Sequence, residues 1–126
     1  MKKIYHCCMT NQPTGELHHI FPGRGKRKVC ETYSIKIPVA SPIHDFAHGR
    51  SLQALHLIDR FFDHEITRNG IQTTMARKFC EIVGIDYDET ILILNYYFDP
   101  LKKPMVHKYL LGVQRKCQQY LVSREQ

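Results

Sequence analysis

Two pairs of histidines have the types and spacing to do chemistry: the adjacent His18-His19, and further along the chain His44 and His48, spaced i, i+4. Imidazole is the commonest metal ligand among side chains. Its unperturbed pKa of roughly 6.5 leaves it largely neutral at physiological pH, so it can hold a metal ion or take a proton. Ser41-Pro42 reads as a helix start, because Ser can cap the first amides and Pro is tolerated in the first turn. In that helix His44 and His48 lie one turn apart on one face, where two imidazoles can hold a single ion. His18 and His19 follow Glu16-Leu17. If residues 16–21 form a strand, their side chains point to opposite faces. A bend at the strand end lets His18 reach the metal while His19 faces a substrate.

Three further elements have to position these groups. Residues 22–32 read as a basic loop, with Arg24, Lys26, Arg27 and Lys28 crowded around Gly23 and Gly25. Glycines allow close backbone approach to a phosphate and the cations supply charge, with Arg27 the first candidate to meet a phosphate and its neighbours able to substitute. Tyr33-Ser34-Ile35-Lys36-Ile37-Pro38-Val39 alternates apolar and polar residues and reads as a short strand ending near Pro38. The order is strand, basic loop, strand, helix.

From about Cys7 to Gly49, these residues resemble the HNH, or ββα-metal (His-Me finger), endonucleases. The likeness is carried by His18-His19-Ile20, the Gly/Arg-rich stretch, Ile35-Lys36-Ile37-Pro38-Val39 and the His44-x-x-x-His48-Gly49 pattern. It is nearest to the small HNH proteins encoded by phages and prophages, some linked to recombination, and the spacing of His44 and His48 resembles the metal-binding helix of the colicin DNases. The resemblance implies His18, His44 and His48 as ligands of one divalent metal ion and His19 as general base. It implies hydrolysis of phosphodiester bonds, with DNA as partner, branched or single-stranded forms included, in the cytoplasm of a bacterial host. The same chemistry would serve RNA. Three imidazoles suit Zn, Ni, Co or Mn better than Mg. Two family features are missing. The second strand has Tyr33, Ser34 or Ile35 where many members carry an Asn that orients the base. Cys7 and Cys8 are adjacent, with no cysteine in 39–44, where many members have two Cys-x-x-Cys pairs.

The composition fits this setting. A chain of 126 residues is long enough for one domain with a modest core, here residues 1–126 with a ββα core over 1–50 and a helical extension over 51–126. The formal charge of +6 favours a polyanionic partner. No apolar run approaches the roughly 20 residues of a membrane span, and Met1 to His6 lacks the apolar core of a signal peptide. Five cysteines, an odd number without a paired framework, fit a reducing compartment. Of Cys7 and Cys8, one is expected to be buried and one partly exposed.

Beyond Gly49 the pattern is helical, giving an α+β class overall. Ser51 can cap a helix from Leu52 to about Arg68, with Leu55, Ile58, Phe62 and Ile66 in a stripe and His56 and His64 two turns apart. A second helix opens at Thr73 or Thr74 and ends at Gly84. A third, capped by Asp86 or Asp88, runs from about Glu89 to Phe98, with a strand over Ile91–Leu94 as the alternative. A last one runs from Pro104 to about Val122, with Val106, Leu110, Val113, Cys117 and Leu121 on one face. Lys102, Lys103, Lys108, Arg115 and Lys116 make this end basic. Two other readings stand beside the nuclease: a non-catalytic nucleic-acid-binding protein in which all four histidines close a structural zinc, and an interaction module built on a decayed nuclease core. Oligomeric state is left open by the sequence.

Overall fold

The structure, a computed structural model, describes residues 3–126. It is an α+β fold with two small antiparallel sheets of two strands each and seven α-helices among the described residues. β1 (Tyr5–His6) pairs with β2 (Pro13–Thr14) across residues 7–12, so Pro13 and Thr14, which by their Pro and Gly neighbours read as part of a turn, are strand. β3 (Leu17–His19) pairs with β4 (Lys36–Pro38) in the register Leu17 to Pro38, His18 to Ile37 and His19 to Lys36. The two ribbons are joined where Cys8 N–H donates to Pro38 O at 3.0 Å.

The basic stretch is not a loop throughout. Only Pro22 to Gly25 is irregular, and α1 (Lys26–Tyr33) follows. Lys and Arg are good helix formers. Val29 and Cys30 are buried and Tyr33 packs beside them, giving the short helix an apolar side that the cations obscure in the sequence. Gly25 sits at its N-cap with φ 84°, a conformation that glycine adopts without a Cβ clash. Ser34, left-handed at φ 56°, ends α1 and turns the chain into β4.

α2 spans Ser41–Ala47. Its N-cap is Ala40, so Ser41 is the first helical residue and makes no capping hydrogen bond. His48 is the C-cap residue rather than an interior one, yet its N–H still donates to His44 O at 3.2 Å. That bond holds the two histidines one turn apart, as the i, i+4 spacing requires.

The helix expected over 52–68 is broken into α3 (Leu55–Ile58), a 3-10 turn (Asp59–Phe61) and α4 (Glu65–Asn69). Phe62 is extended and His64 is left-handed at φ 58°, at a point where Asp63 and His64 are weak helix formers. The break keeps Ile58 and Phe62 buried while Leu55 stays exposed. His56 and His64 therefore do not share a helix. The Ser51 hydroxyl accepts from Gln53 N–H at 3.2 Å, a local turn bond instead of a long-helix cap.

The remaining helices follow their periodicities. α5 (Ile71–Val83) begins three residues earlier than Thr74 and ends at Gly84, left-handed at φ 92°. α6 (Tyr87–Leu94) is helical, not a strand, and is capped by Asp86, whose carboxylate accepts from Glu89 N–H at 2.9 Å. It stops before Phe98, and residues 95–98 form turns. α7 (Lys103–Ser123) buries Val106, Leu110, Val113 and Cys117, the expected face, with Leu121 only half-buried. One buried apolar cluster runs from Cys7 through Ile37, Phe46 and Phe79 to Cys117, and α7 packs behind β4. Cys7 is buried and Cys8 half-buried, as expected. Among the described residues no helix is long and apolar enough to cross a membrane.

Candidate metal centre

His18, His44 and His48 come together. Each offers one ring nitrogen, and these three atoms lie within 4.8 Å of one another, an arrangement that could hold a metal ion. Three different constraints deliver them. β3 fixes His18 through its pairing with Ile37, its side chain turned inward and the residue only 6 % exposed. α2 carries His44 and its C-cap carries His48, with ring centroids 4.9 Å apart. The His18 ring meets both edge-on, at 5.2 Å and 4.9 Å, and its other neighbour is Phe79 of α5 at 5.3 Å.

The electrostatics suit a cation ligand set. Burial, then the neighbouring His44, His48, His19 and Arg27, push the His18 imidazolium pKa down to about 3. His48 is shifted the same way, first by burial and then by His44, Arg50 and Arg27. Both rings are thereby kept neutral, the form that presents a lone pair to a metal. His18 Nδ1 is buried without a hydrogen-bond partner among the described residues. An orphaned buried nitrogen is costly unless something outside the chain satisfies it. A divalent ion held by the three imidazoles, with His18 binding through Nδ1, would meet that demand, so the donor set fits the metal.

Sequence reasoning missed Glu16. Its carboxylate accepts from His44 Nδ1 at 3.1 Å, which leaves Nε2 as the ring's free donor to a metal. Carboxylate–histidine pairs of this kind fix the tautomer and raise the basicity of a metal-ligating histidine. Glu16 is itself placed by Thr14, whose hydroxyl accepts from Glu16 N–H and donates to Val39 O. Its position two residues before His18 was the available signal, since side chains alternate along an extended chain.

His19 stands apart from the three-histidine cluster, on the other side of β3. It lines a cleft of about 260 Å³ together with His18, His48, Gly23, Arg27 and Gln72. Its Nε2 lies 2.6 Å from Glu31 Oε2 on α1, and Lys36 Nζ reaches the same oxygen at 2.9 Å. Hydrogen bonds from His19 and then from Lys36 hold the Glu31 carboxyl down at about 2. Glu31 was also missed, because its link to His19 exists only once α1 folds back along β3. The missing Asn at Tyr33, Ser34 or Ile35 leaves no substitute there: the Tyr33 hydroxyl pairs with His107 at 2.8 Å instead.

A comparison with known protein families, curated proteins and solved structures returned no match for this chain. What can be said of the site thus comes from its own geometry. Of the four basic residues, Arg27 lines the cleft beside the histidines, and Arg24, Arg27 and Lys28 line a second, more open cleft with His19 and Glu31. Lys26 lines neither. As the half-buried first residue of α1 it is separated from the other three, which are exposed.

Proposed function

We propose that the protein is a metal-dependent endonuclease of the HNH type, hydrolysing phosphodiester bonds of DNA. The observation that carries this reading is one cleft lined by two members of the three-histidine donor set, His18 and His48, by His19 outside that set, and by Arg27. His18, His44 and His48 hold the ion. A divalent ion bound there supplies Lewis-acid stabilisation of the charge that develops on the phosphate and the leaving oxygen. His19 takes a proton from the attacking water. Arg27 binds the phosphate in the cleft, and Arg24 and Lys28 extend positive charge along the strand on either side of it. The net charge of +6 attracts the polyanion and makes binding salt-dependent.

The structural-zinc alternative needs His19 as a fourth ligand. Its Nε2 is engaged by Glu31 instead, and it is not among the clustered donors, which favours the catalytic reading. The test is cleavage of supercoiled plasmid by metal-stripped protein, with Mg, Mn, Zn, Ni and Co added back singly. Cleavage is expected to need an ion and to fall by about 10²- to 10⁴-fold in His19→Ala, the range a general base contributes. Metal affinity should be retained in that variant. Tight metal binding with no cleavage of plasmid, branched DNA or RNA would overturn the nuclease in favour of a structural site.

A further inference from the structure

We propose that Glu31 is the positioning residue for His19, fixing its ring as the Nε2–H tautomer and leaving Nδ1 as the basic nitrogen. As a role in catalysis, this rests on the nuclease reading above; as a statement about the ring, it does not. Three elements bring the groups together. The antiparallel register sets His19 opposite Lys36 on one face of the β3–β4 ribbon. α1 then runs alongside and brings Glu31 onto that face. The result is a chain of contacts from His19 Nε2 to Glu31 Oε2 at 2.6 Å and on to Lys36 Nζ at 2.9 Å.

The direction of each hydrogen bond follows from chemistry. An ammonium has only donors, so Lys36 donates to Glu31. An ionised carboxylate has only acceptors, so Glu31 must receive a proton from the ring, and Nε2 is the nitrogen that carries it. Nδ1 makes no hydrogen bond to another group among the described residues, so nothing competes for its lone pair. Lys36 has a second effect. By holding the carboxylate ionised it prevents Glu31 from donating to the ring, which would select the opposite tautomer. A base whose active nitrogen is fixed before substrate arrives needs no reorganisation during proton transfer. Glu31 does not touch the cleft that His18 and His48 line, so it acts through His19.

The experiment uses the full metal-free chain with ¹⁵N-labelled histidine in mildly alkaline solution, reading the ring tautomers from long-range nitrogen–proton correlations. Wild-type His19 is expected as the Nε2–H form. Glu31→Ala should turn it into a mixture of tautomers, and Glu31→Gln, which keeps an acceptor oxygen, should restore the wild-type pattern. The Glu31 side chain is 61 % exposed, so neither change disturbs the core. In the metal-supported cleavage assay, Glu31→Ala should lower kcat by about 10- to 100-fold, a part of what a general base contributes. Metal affinity should stay unchanged, any change of KM should be a decrease, because Glu31 is an anion beside Arg24 and Lys28, and Glu31→Gln should recover much of kcat. A wild-type His19 protonated at Nδ1, or a tautomer indifferent to Glu31→Ala, would overturn the proposal. An equal loss in the Gln and Ala variants would overturn the positioning role in favour of a requirement for charge. Absence of cleavage in the wild type, with the tautomer behaving as expected, would remove the nuclease and leave Glu31 as the group that sets His19.

Discussion

Between β3 and α2 the fold buries a histidine with one nitrogen unsatisfied, whereas between α5, α6 and α7 every buried polar side chain is paired close to home. In the helical half the core is Met75, Phe79, Cys80, Leu110, Val113 and Cys117. Its two buried threonines donate to backbone carbonyls, Thr74 to Glu65 O at 3.2 Å and Thr90 to Asp86 O at 2.7 Å. In the other half, His18 Nδ1 has no partner among the described residues, while Glu16 and Glu31 each hold one further histidine. Unpaired buried polar groups are rare in folded proteins and call for an explanation such as an ion. The contrast separates a region whose buried polar groups pair within the chain from one whose clustered histidines could hold a metal ion.

The strongest way to break that separation is at its seam. Phe79 belongs to α5, is fully buried and forms the wall against the His18 ring. Phe79→Ala should cost about 3–5 kcal/mol in denaturant unfolding, the usual penalty for emptying such a site. It should also weaken metal binding by loosening His18. A destabilised variant with unchanged metal affinity would mean that the helical half does not brace the site. A smaller effect, confined to the other side, is expected of Glu16→Ala. Metal affinity measured by competition with a chelator should fall about 10- to 100-fold, as for other carboxylate partners of metal-bound histidines, with little change in the stability of the metal-free protein. An unchanged affinity would reduce the Glu16–His44 contact to a surface pair.

The effect that is smallest per pH unit sharpens the comparison by its sign. The folded-state pKa of His18 is about 3, below the unfolded value near 6.5. The unfolded chain therefore binds a proton that the folded chain refuses. The contribution of neutral His18 is fully present above about pH 6.5 and is lost as pH falls toward 3, at up to about 1.4 kcal/mol per pH unit. His48 adds in the same direction. Urea unfolding of metal-free protein across this window should show the slope, and His18→Gln should flatten it. A variant with a slope as steep as the wild type would locate the acid sensitivity elsewhere.

The α+β class, the ribbon of β3 and β4, and α2, α5 and α7 were all readable from residue pattern. In each of these, period and terminators agree: alternation up to Pro38, Pro42 in the first turn, Gly84 past an amphipathic run. The donor set was readable for the same reason, since His44 and His48 are one turn apart in any helix. Two elements were obscured. In α1 the cations outnumber the apolar residues, and only the packing of Val29 and Cys30 reveals a helix. Over 52–68 the apolar stripe suggests one continuous helix, but burying Ile58 and Phe62 together is achieved by a turn at Asp63-His64. The pairings of Glu16 and Glu31 were harder to read for another reason, Glu16 showing only its place two residues before His18. Their partners lie 28 and 12 residues away, and only the folded ribbon and α1 bring them near.

Arg124, just past α7, donates to Cys7 O at 2.6 Å and to His6 O at 3.2 Å, and Gln126 N–H donates to Ile4 O at 3.0 Å. These bonds secure the β1–β2 ribbon, which in turn is tied to β4, while α7 lies behind β4 itself. Ribbons of two short strands are marginal without such support. During synthesis on the ribosome, all four histidines emerge within the first half of the chain, long before Arg124 does. The bonds from Arg124 and Gln126 to the β1–β2 ribbon therefore form only after every histidine of the cluster has emerged.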